Sequence, residues 1–331
     1  MRTNLSPAPV NKPLIGSPGV TGALVPALFA TAGERASTRF IEFFTVTIRN
    51  PNTRRAYAKA VTAFSDWCTA NGARHLVDIE PVHVAAYVEQ LQAYLAAPSV
   101  KQHLAAIRML FDWLVVGQIV ATNPAGSVRG PKHSVRQGKT PVLTAEETRT
   151  LLDSIDVTTL IGLRDRAIVA LMTYTFARVG ALLKMLGEDY YVQGKRGWVR
   201  LHEKGGKEHP MPCHHNLEAY LDAYITAAGI DNEKKLPLFR SALARSGRLT
   251  DRPLRQSDVY RMLRRRAMAA GIDTEICCHT FRATGITTYL KNGGQLELAQ
   301  RMANHESART TGLYDRRNDD VSLDEIERIQ I

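Results

Sequence analysis

The sequence predicts a mainly α protein of two domains: an all-helical N-terminal domain, then an α-rich domain carrying one small three-stranded antiparallel sheet. Three observations predict it. Apolar residues recur at helical spacing from Phe40 to Leu114, and that periodicity stops in a cationic Pro- and Gly-containing stretch at residues 123–141. Strand-forming residues punctuated by glycine turns then run from Asp189 to Met211, inside an otherwise helical pattern. A chain of 331 residues is long enough for each domain to bury its own core.

Residues 1–35 are rich in Pro, Gly, Ser and Thr and read as a flexible arm. Within it Val20 to Ala32 is apolar and resembles a secretory signal. Its flank is only weakly basic, Pro26 interrupts it, and it is too short to span a bilayer, so it reads as a leader or docking arm. The helical domain is expected over residues 36–122. Ser37-Thr38 would cap a first helix carrying Phe40, Ile41, Phe44 and Val46. Asn52 or Thr53 would cap a second with Tyr57, Val61, Phe64 and Cys68, ended by Asn71-Gly72. A third starts near Pro81 with Val84, Val88, Leu91 and Leu95. Pro98-Ser99 opens a fourth with Val100, Leu104, Ile107, Phe111 and Leu114 on one face.

Residues 123–141 read as a linker. Arg129, Lys132, Arg136 and Lys139 lie in it without a single acid, which suits a segment that follows a polyanion. The second domain, residues 142–331, opens with Thr144 and Glu147 spaced as a capping box. A helix from about Leu163 to Tyr174 leads to Arg178. Strands at 189–192 and 198–201 and one through Met211 follow, joined by Gly194–Gly197 and by Lys204-Gly205-Gly206-Lys207; the glycine pair supplies the positive φ angles of a tight turn. The remainder is helical, ending in Val321, Leu323, Ile326 and Ile329 on an amphipathic stripe.

Charge narrows the partner. With 43 Lys+Arg against 32 Asp+Glu, the formal net charge is +11, which favours nucleic acid or an anionic surface. Exposed-face cations in the first domain include Arg54, Arg55, Lys59, Lys101, His103 and Arg108. Arg54 and Lys101 sit near helix starts, where a cation opposes the helix dipole, so phosphate contact is a reasonable reading beside simple solvation. On a later helix Arg261, Arg264, Arg265 and Arg266 could reach base edges or phosphates in a major groove, although four arginines cannot all face one way. Cys68, Cys213, Cys277 and Cys278 form no C-x-x-C pair and read as free thiols of a reducing compartment.

The chemistry concentrates in polar residues set amid apolar ones. Arg178 lies between two helices with no acid within four residues, so a substrate phosphate could satisfy it. His279 and Arg282 are one helical turn apart. His305 sits in a break between helices, and Tyr314 follows. Guanidinium groups bond phosphate oxygens bidentately, and a tyrosine can hold a phosphoryl group covalently. Lys204 and Lys207 flank the hairpin tip, where a flexible cation could protonate a leaving oxygen, although a tip lysine alone is usually just solvated. No G-x-x-x-x-G-K-[ST] loop and no carboxylate metal cluster is spelled, so the set points to phosphoryl transfer on nucleic acid without cofactor or metal.

From about Ser37 to the C-terminus, the ordered set of arginine, hairpin lysine, H-x-x-R, histidine and tyrosine resembles the tyrosine recombinase, or phage integrase, family. The resemblance implies a helical core-binding, SAM-like DNA-binding domain, a basic linker and a tyrosine recombinase catalytic fold. It implies that Arg178 and Arg282 hold the scissile phosphate, His279 and His305 bond it and move protons, Lys204 protonates the leaving 5′ oxygen, and Tyr314 forms a 3′-phosphotyrosyl link. Lys204, rather than Lys207, matches the family's hairpin position. Ala181 stands where members often carry an acid, leaving the orientation of Arg178 open, and Asn304 stands where glycine is common.

The resemblance further implies double-stranded DNA with inverted-repeat sites as substrate, a homo-tetramer assembled on DNA through the C-terminal helix, no membrane, cytoplasmic action at the nucleoid, and room for accessory proteins. The helix can also be read as packing within its own chain. Two other functions compete: type IB topoisomerase-like relaxation, which shares the tyrosine chemistry, and a DNA-binding accessory protein lacking catalysis. The H-x-x-R spelling, the helical first domain and the tail favour recombination over the first, and the filled catalytic positions over the second.

Overall fold

A computed structural model describes residues 25–135, 138–243, 246–316 and 327, with Lys204 described by its backbone only. The chain divides into two compact units, Met1–Ser134 and Val135–Ile331. The structure is mostly helical, with the small three-stranded antiparallel sheet in the second unit.

The first unit consists, among its described residues, of α1 (Ala27–Thr31), α2 (Glu34–Glu42), α3 (Pro51–Ala70), α4 (Pro81–Gln92) and α5 (Ala97–Val116). A π-helical turn, Phe43–Thr47, extends α2. Phe40 and Phe44 enter the core as expected, with Phe43 between them, whereas Ile41 and Val46, expected inside, are exposed because they fall off that i, i+3, i+4 face. Helix α2 also begins upstream of Ser37-Thr38, which lie within it.

The cap of α3 is Asn50, not Asn52 or Thr53. Its side chain accepts from the Asn52 and Thr53 amides at 2.9 and 3.3 Å, and Pro51 takes the first helical position, where its missing N–H costs nothing. Part of the expected arm is ordered as well. Leu28 and Phe29 of α1 are buried in this unit's core, so residues 27–35 belong to the helical unit; residues 1–24 lie outside the described part.

The second unit opens with α6 (Ala145–Asp153), α7 (Leu160–Tyr174) and the short α8 (Val179–Leu182). Thr144 and Glu147 form the expected capping box, and Thr159 caps α7. The sheet follows: β1 (Tyr190–Gln193), β2 (Arg196–His202) and β3 (Glu208–Pro212), antiparallel in sequence order, with Val199 opposite Met211. Val199, Leu201 and Met211 carry its buried face.

Then come α9 (His215–Ala228), a short hairpin of β4 (Arg240–Ala242) and β5 (Leu249–Pro253), α10 (Gln256–Ala269), α11 (Cys278–Lys291), α12 (Leu296–Met302) and α13 (Ala308–Gly312). The β4–β5 hairpin corrects the expectation that everything after β3 is helical. Tail residues 321–331, expected to form the docking helix, lie outside the described residues except for Glu327.

Helix α7 runs through the core, packed between α9 and α11. Its buried Asp165 is held by Arg164 and by Arg266 of α10, each at 2.8 Å. That pairing matters because a buried carboxylate without partners would be strongly destabilising. Helix α11 approaches α7 at Gly285. A Cβ there would lie 2.1 Å from the Thr173 carbonyl oxygen and 2.8 Å from the Phe176 ring, so only glycine fits without a shift.

Candidate active site

The turn between α7 and α8 builds two parts of the site at once. Phe176 adopts a left-handed backbone, φ 55°, a conformation costly for an aromatic residue. It presents its carbonyl to Nη1 of Arg282, and two residues later Arg178 stands at the N-cap of α8. The Ala303 carbonyl receives Nη2 of Arg282. Arg282 is almost wholly buried, and its Nε finds no partner among the described residues. Burial, and then the like charge of Arg178, pushes its pKa down to about 10, which leaves it cationic at neutral pH; the nearby Tyr314 and Glu203 pull it back up.

Arg178 donates from Nη1 to Oε2 of Glu203 at 2.8 Å. The arginine side chain is 38% exposed and the glutamate side chain only 5%. Arg178 therefore has an acid for a partner even without substrate, 25 residues downstream. Glu203 is not among the site residues expected from the sequence. The alternation along β2 carried the signal, since it buries Gly197, Val199 and Leu201 and, one step past the strand, Glu203. Directly after Glu203, the Lys204–Gly206 turn runs through positive φ at Gly205 and Gly206, and the Glu203 amide closes it on the Lys207 carbonyl at 2.9 Å. Lys207 is exposed.

His279 occupies the first turn of α11, one turn before Arg282. Thr280 lies inside this helix, one turn from its start. Cys277 is the N-cap, and the Thr280 hydroxyl accepts its amide at 3.1 Å. His279 is exposed, yet partial desolvation, then Arg282 and Arg178, hold its pKa below the usual imidazole value. Burial pushes the neighbouring Cys278 thiol up to about 11, the opposite of an activated nucleophile.

His305 follows Asn304, whose φ of 46° suits a residue that tolerates the left-handed region. Its Nδ1 pairs with the buried Thr311 hydroxyl at 2.9 Å, and its ring stacks on Tyr314 with centroids 5.9 Å apart. Burial first, then Arg282, Arg178 and His279, take the His305 pKa down to about 4. Tyr314 is partly buried against the cluster of Phe176, Ile286, Leu290, Ala299 and Ala303, and its carbonyl accepts from Thr287 at 3.0 Å. Arg178, His279, Arg282, His305 and Tyr314, far apart in sequence, thus meet at one place in the second unit.

That constellation can be set beside known proteins. The phage integrase family profile matches residues 141–320, and the phage integrase N-terminal SAM-like domain matches residues 38–119. The chain belongs to the phage integrase family. It is 28% identical over 274 residues to the tyrosine recombinase XerD of Corynebacterium glutamicum, covering 80% of this chain and 86% of the relative.

Integrase-family folds in solved structures are similar to it. The XerH site-specific recombinase bound to its difH substrate, in a pre-cleavage complex, matches with a TM-score of 0.62 at 19% identity, over 83% of this chain and 78% of that one. A lambda integrase tetramer bound to a Holliday junction matches with a TM-score of 0.62 at 20% identity, over 84% and 76%.

The cations expected to meet DNA divide into two groups. Arg55, Lys101, Lys132, Lys139 and Lys207 are exposed. Arg261, Arg264 and Arg265 keep largely exposed heads while touching Asp258, Tyr260 and Asp165 respectively. Arg54 and Arg108 are committed to the fold: Arg54 donates twice to the Ile48 carbonyl, and Arg108 donates to the carbonyls of Ala125 and Val128. Arg136 lies outside the described residues. Among the described residues no group of His, Cys, Asp and Glu could hold a metal ion, and no helix is long and apolar enough to cross a membrane.

Proposed function

We propose that this integrase-family protein is a site-specific DNA recombinase that cuts and rejoins strands through a 3′-phosphotyrosyl intermediate. The observation that carries the reading is the meeting of two guanidinium groups, two histidines and a tyrosine within a partly buried pocket of the second unit. The phenolic oxygen of Tyr314 gives its proton to a neutral imidazole of the site and attacks the scissile phosphorus, the P–O5′ bond breaks, and the departing oxygen takes a proton from Lys204. A 5′ hydroxyl of the partner strand then returns a proton to Lys204 and attacks the phosphotyrosine, the bond from phosphorus to the Tyr314 oxygen breaks, and the phenol recovers its proton from the imidazole as the phosphodiester is restored. Bond energy is conserved, so no nucleotide is consumed.

Arg178 and Arg282 oppose the charge that grows on the non-bridging oxygens of the pentacoordinate state, a role preorganised donors perform best where water is excluded. Arg282 is preorganised by the Phe176 and Ala303 carbonyls. His305, neutral at physiological pH, can accept or donate a hydrogen bond without adding a third cation.

Duplex DNA with inverted repeats is the substrate, held by Arg55, Lys101, Lys132, Lys139, Lys207, Arg261, Arg264 and Arg265, with action in the cytoplasm. Assembly is a tetramer joined through the C-terminal segment. An apolar cavity of about 620 Å³, lined by Leu152, Phe176, Met211, Tyr289 and Met302 with Arg149 and Arg196 beside them, offers a seat for the acidic, apolar-striped tail of a neighbouring copy. The direct test is capture of a denaturation-resistant protein–DNA adduct on a nicked duplex, present in the wild type and absent in Tyr314→Phe.

A further inference from the structure

We infer that Glu203 is a positioning residue for the reaction, setting the orientation of the Arg178 guanidinium and tying it to the turn that starts at Lys204. The inference rests on the transesterification proposed above. A carboxylate as buried as Glu203, 4% exposed, is tolerated only with a charged or hydrogen-bonded partner, and Arg178 at 2.8 Å is that partner. Within α8 the residue one turn beyond Arg178 is Ala181, which is buried and offers no acid. No described residue other than Glu203 forms an ion pair with Arg178.

The pairing does two things. It fixes one guanidinium nitrogen of a long, rotamer-rich side chain and leaves the remaining N–H groups unspent on the described protein. It also supplies a counter-charge, so that two arginines can stand close together before DNA arrives. Glu203 favours the charged form of Arg282, whereas Arg178 opposes it.

Glu203 acts at a second point through its backbone. Its amide donates to the Lys207 carbonyl and closes the Lys204–Gly206 turn. One residue therefore fixes both the arginine that meets the phosphate and the start of the turn that carries the proposed acid. Movement of the hairpin tip and of the guanidinium are coupled through it.

The test compares wild type, Glu203→Gln, Glu203→Ala, Arg178→Ala and Tyr314→Phe on a duplex recovered by binding selection from a random-sequence pool and nicked beside the cleaved phosphate. Each is assayed with an ordinary phosphodiester and with a methylphosphonate at the scissile position, with thermal unfolding as the folding control. Replacing a charged oxygen by methyl removes the charge that Arg178 opposes, so a misplaced guanidinium then costs less.

The expected result is cleavage slowed about 10- to 100-fold by Glu203→Ala on the phosphodiester, in line with the cost of small misplacements, with a smaller loss for Glu203→Gln, which keeps an acceptor. On the methylphosphonate both losses shrink in parallel with that of Arg178→Ala. Folded Glu203 variants that cleave at the wild-type rate, or that lose the same factor on both linkages, overturn the positioning role. Absence of any Tyr314-dependent adduct in the wild type overturns the transesterification itself, and with it this inference.

Discussion

The imidazole of His305 lies nearly parallel to the phenol ring of Tyr314, with centroids 5.9 Å apart and 7° between the ring planes. Because Nδ1 of the same imidazole is tied to Thr311, the stack fixes the tyrosine against a ring that cannot rotate freely. The site is therefore organised around a neutral histidine and two cations before any phosphate enters.

That arrangement has a pH signature in stability. The His305 pKa in the folded protein is about 4, below its ordinary 6.5. As pH falls below 6.5 the unfolded chain takes up a proton that the folded chain refuses, so the stability present above 6.5 is lost progressively towards pH 4. The loss is on the order of 2–3 kcal/mol for this one group. Denaturant titrations between pH 7.5 and 4.5 should show the decline in wild type and a flatter curve for His305→Gln. Identical slopes would remove His305 as its source.

DNA should reverse that shift. A phosphate beside His305 and His279 adds a negative charge where two arginines now disfavour their protonation. Binding is expected to take up protons near pH 6, read from binding heats in buffers of different ionisation enthalpy. Uptake should fall in His305→Gln and be absent with a nonspecific polyanion that does not enter the site.

Gly285 is the contact on which the Phe176 turn depends. Gly285→Ala places a Cβ 2.1 Å from the Thr173 carbonyl oxygen and forces α11 from α7. Overpacking of this kind costs about 1–3 kcal/mol. Because Arg282 rides on α11 and is held by the Phe176 carbonyl, cleavage should fall further than the stability loss alone explains. Unfolding and cleavage measured at one temperature below the transition separate the two.

Arg282→Lys retains the charge but not the fork. One ammonium cannot serve the Phe176 and Ala303 carbonyls and still meet a phosphate in the same geometry. Cleavage is expected to drop about 100-fold or more, as when a preorganised donor is lost. Near-normal single-turnover rates would show that charge alone suffices.

The two groups of cations should separate in salt titrations. Replacing exposed Lys101 or Arg55 by Ala should weaken DNA binding and lower the salt slope by about 1 for each phosphate no longer neutralised. Arg108→Ala should instead lower the melting temperature of the first unit, since it strips bonds from the Ala125 and Val128 carbonyls.

Much of this was legible in the residues, for identifiable reasons. Thr144 with Glu147, and Asn304 before His305, are local devices whose geometry follows from a few neighbouring side chains. Helices α4 and α5 follow from strong apolar periodicity. The start of α2 was not legible, because its N-cap is Gly33, with no side-chain cap to mark it, and the π-helical turn at Phe43–Thr47 likewise carries no sequence mark. The β4–β5 hairpin was missed because its strands are short and mostly polar. In the site, the residue types spelled the chemistry, but two supports were hidden. The left-handed Phe176 packs its ring against Gly285 of a distant helix, and Glu203 reaches Arg178 across 25 residues of chain. Both are tertiary facts, although strand alternation did point Glu203 inward.

The central claim is that Tyr314 forms a covalent bond to DNA. Its most direct measurement is mass spectrometry of the peptide containing Tyr314, after nuclease digestion of protein trapped on a nicked duplex in the presence of EDTA. The account predicts a nucleotide phosphate on Tyr314 in the wild type and no adduct in Tyr314→Phe. A modification on another residue, or an adduct that persists in Tyr314→Phe, would contradict it.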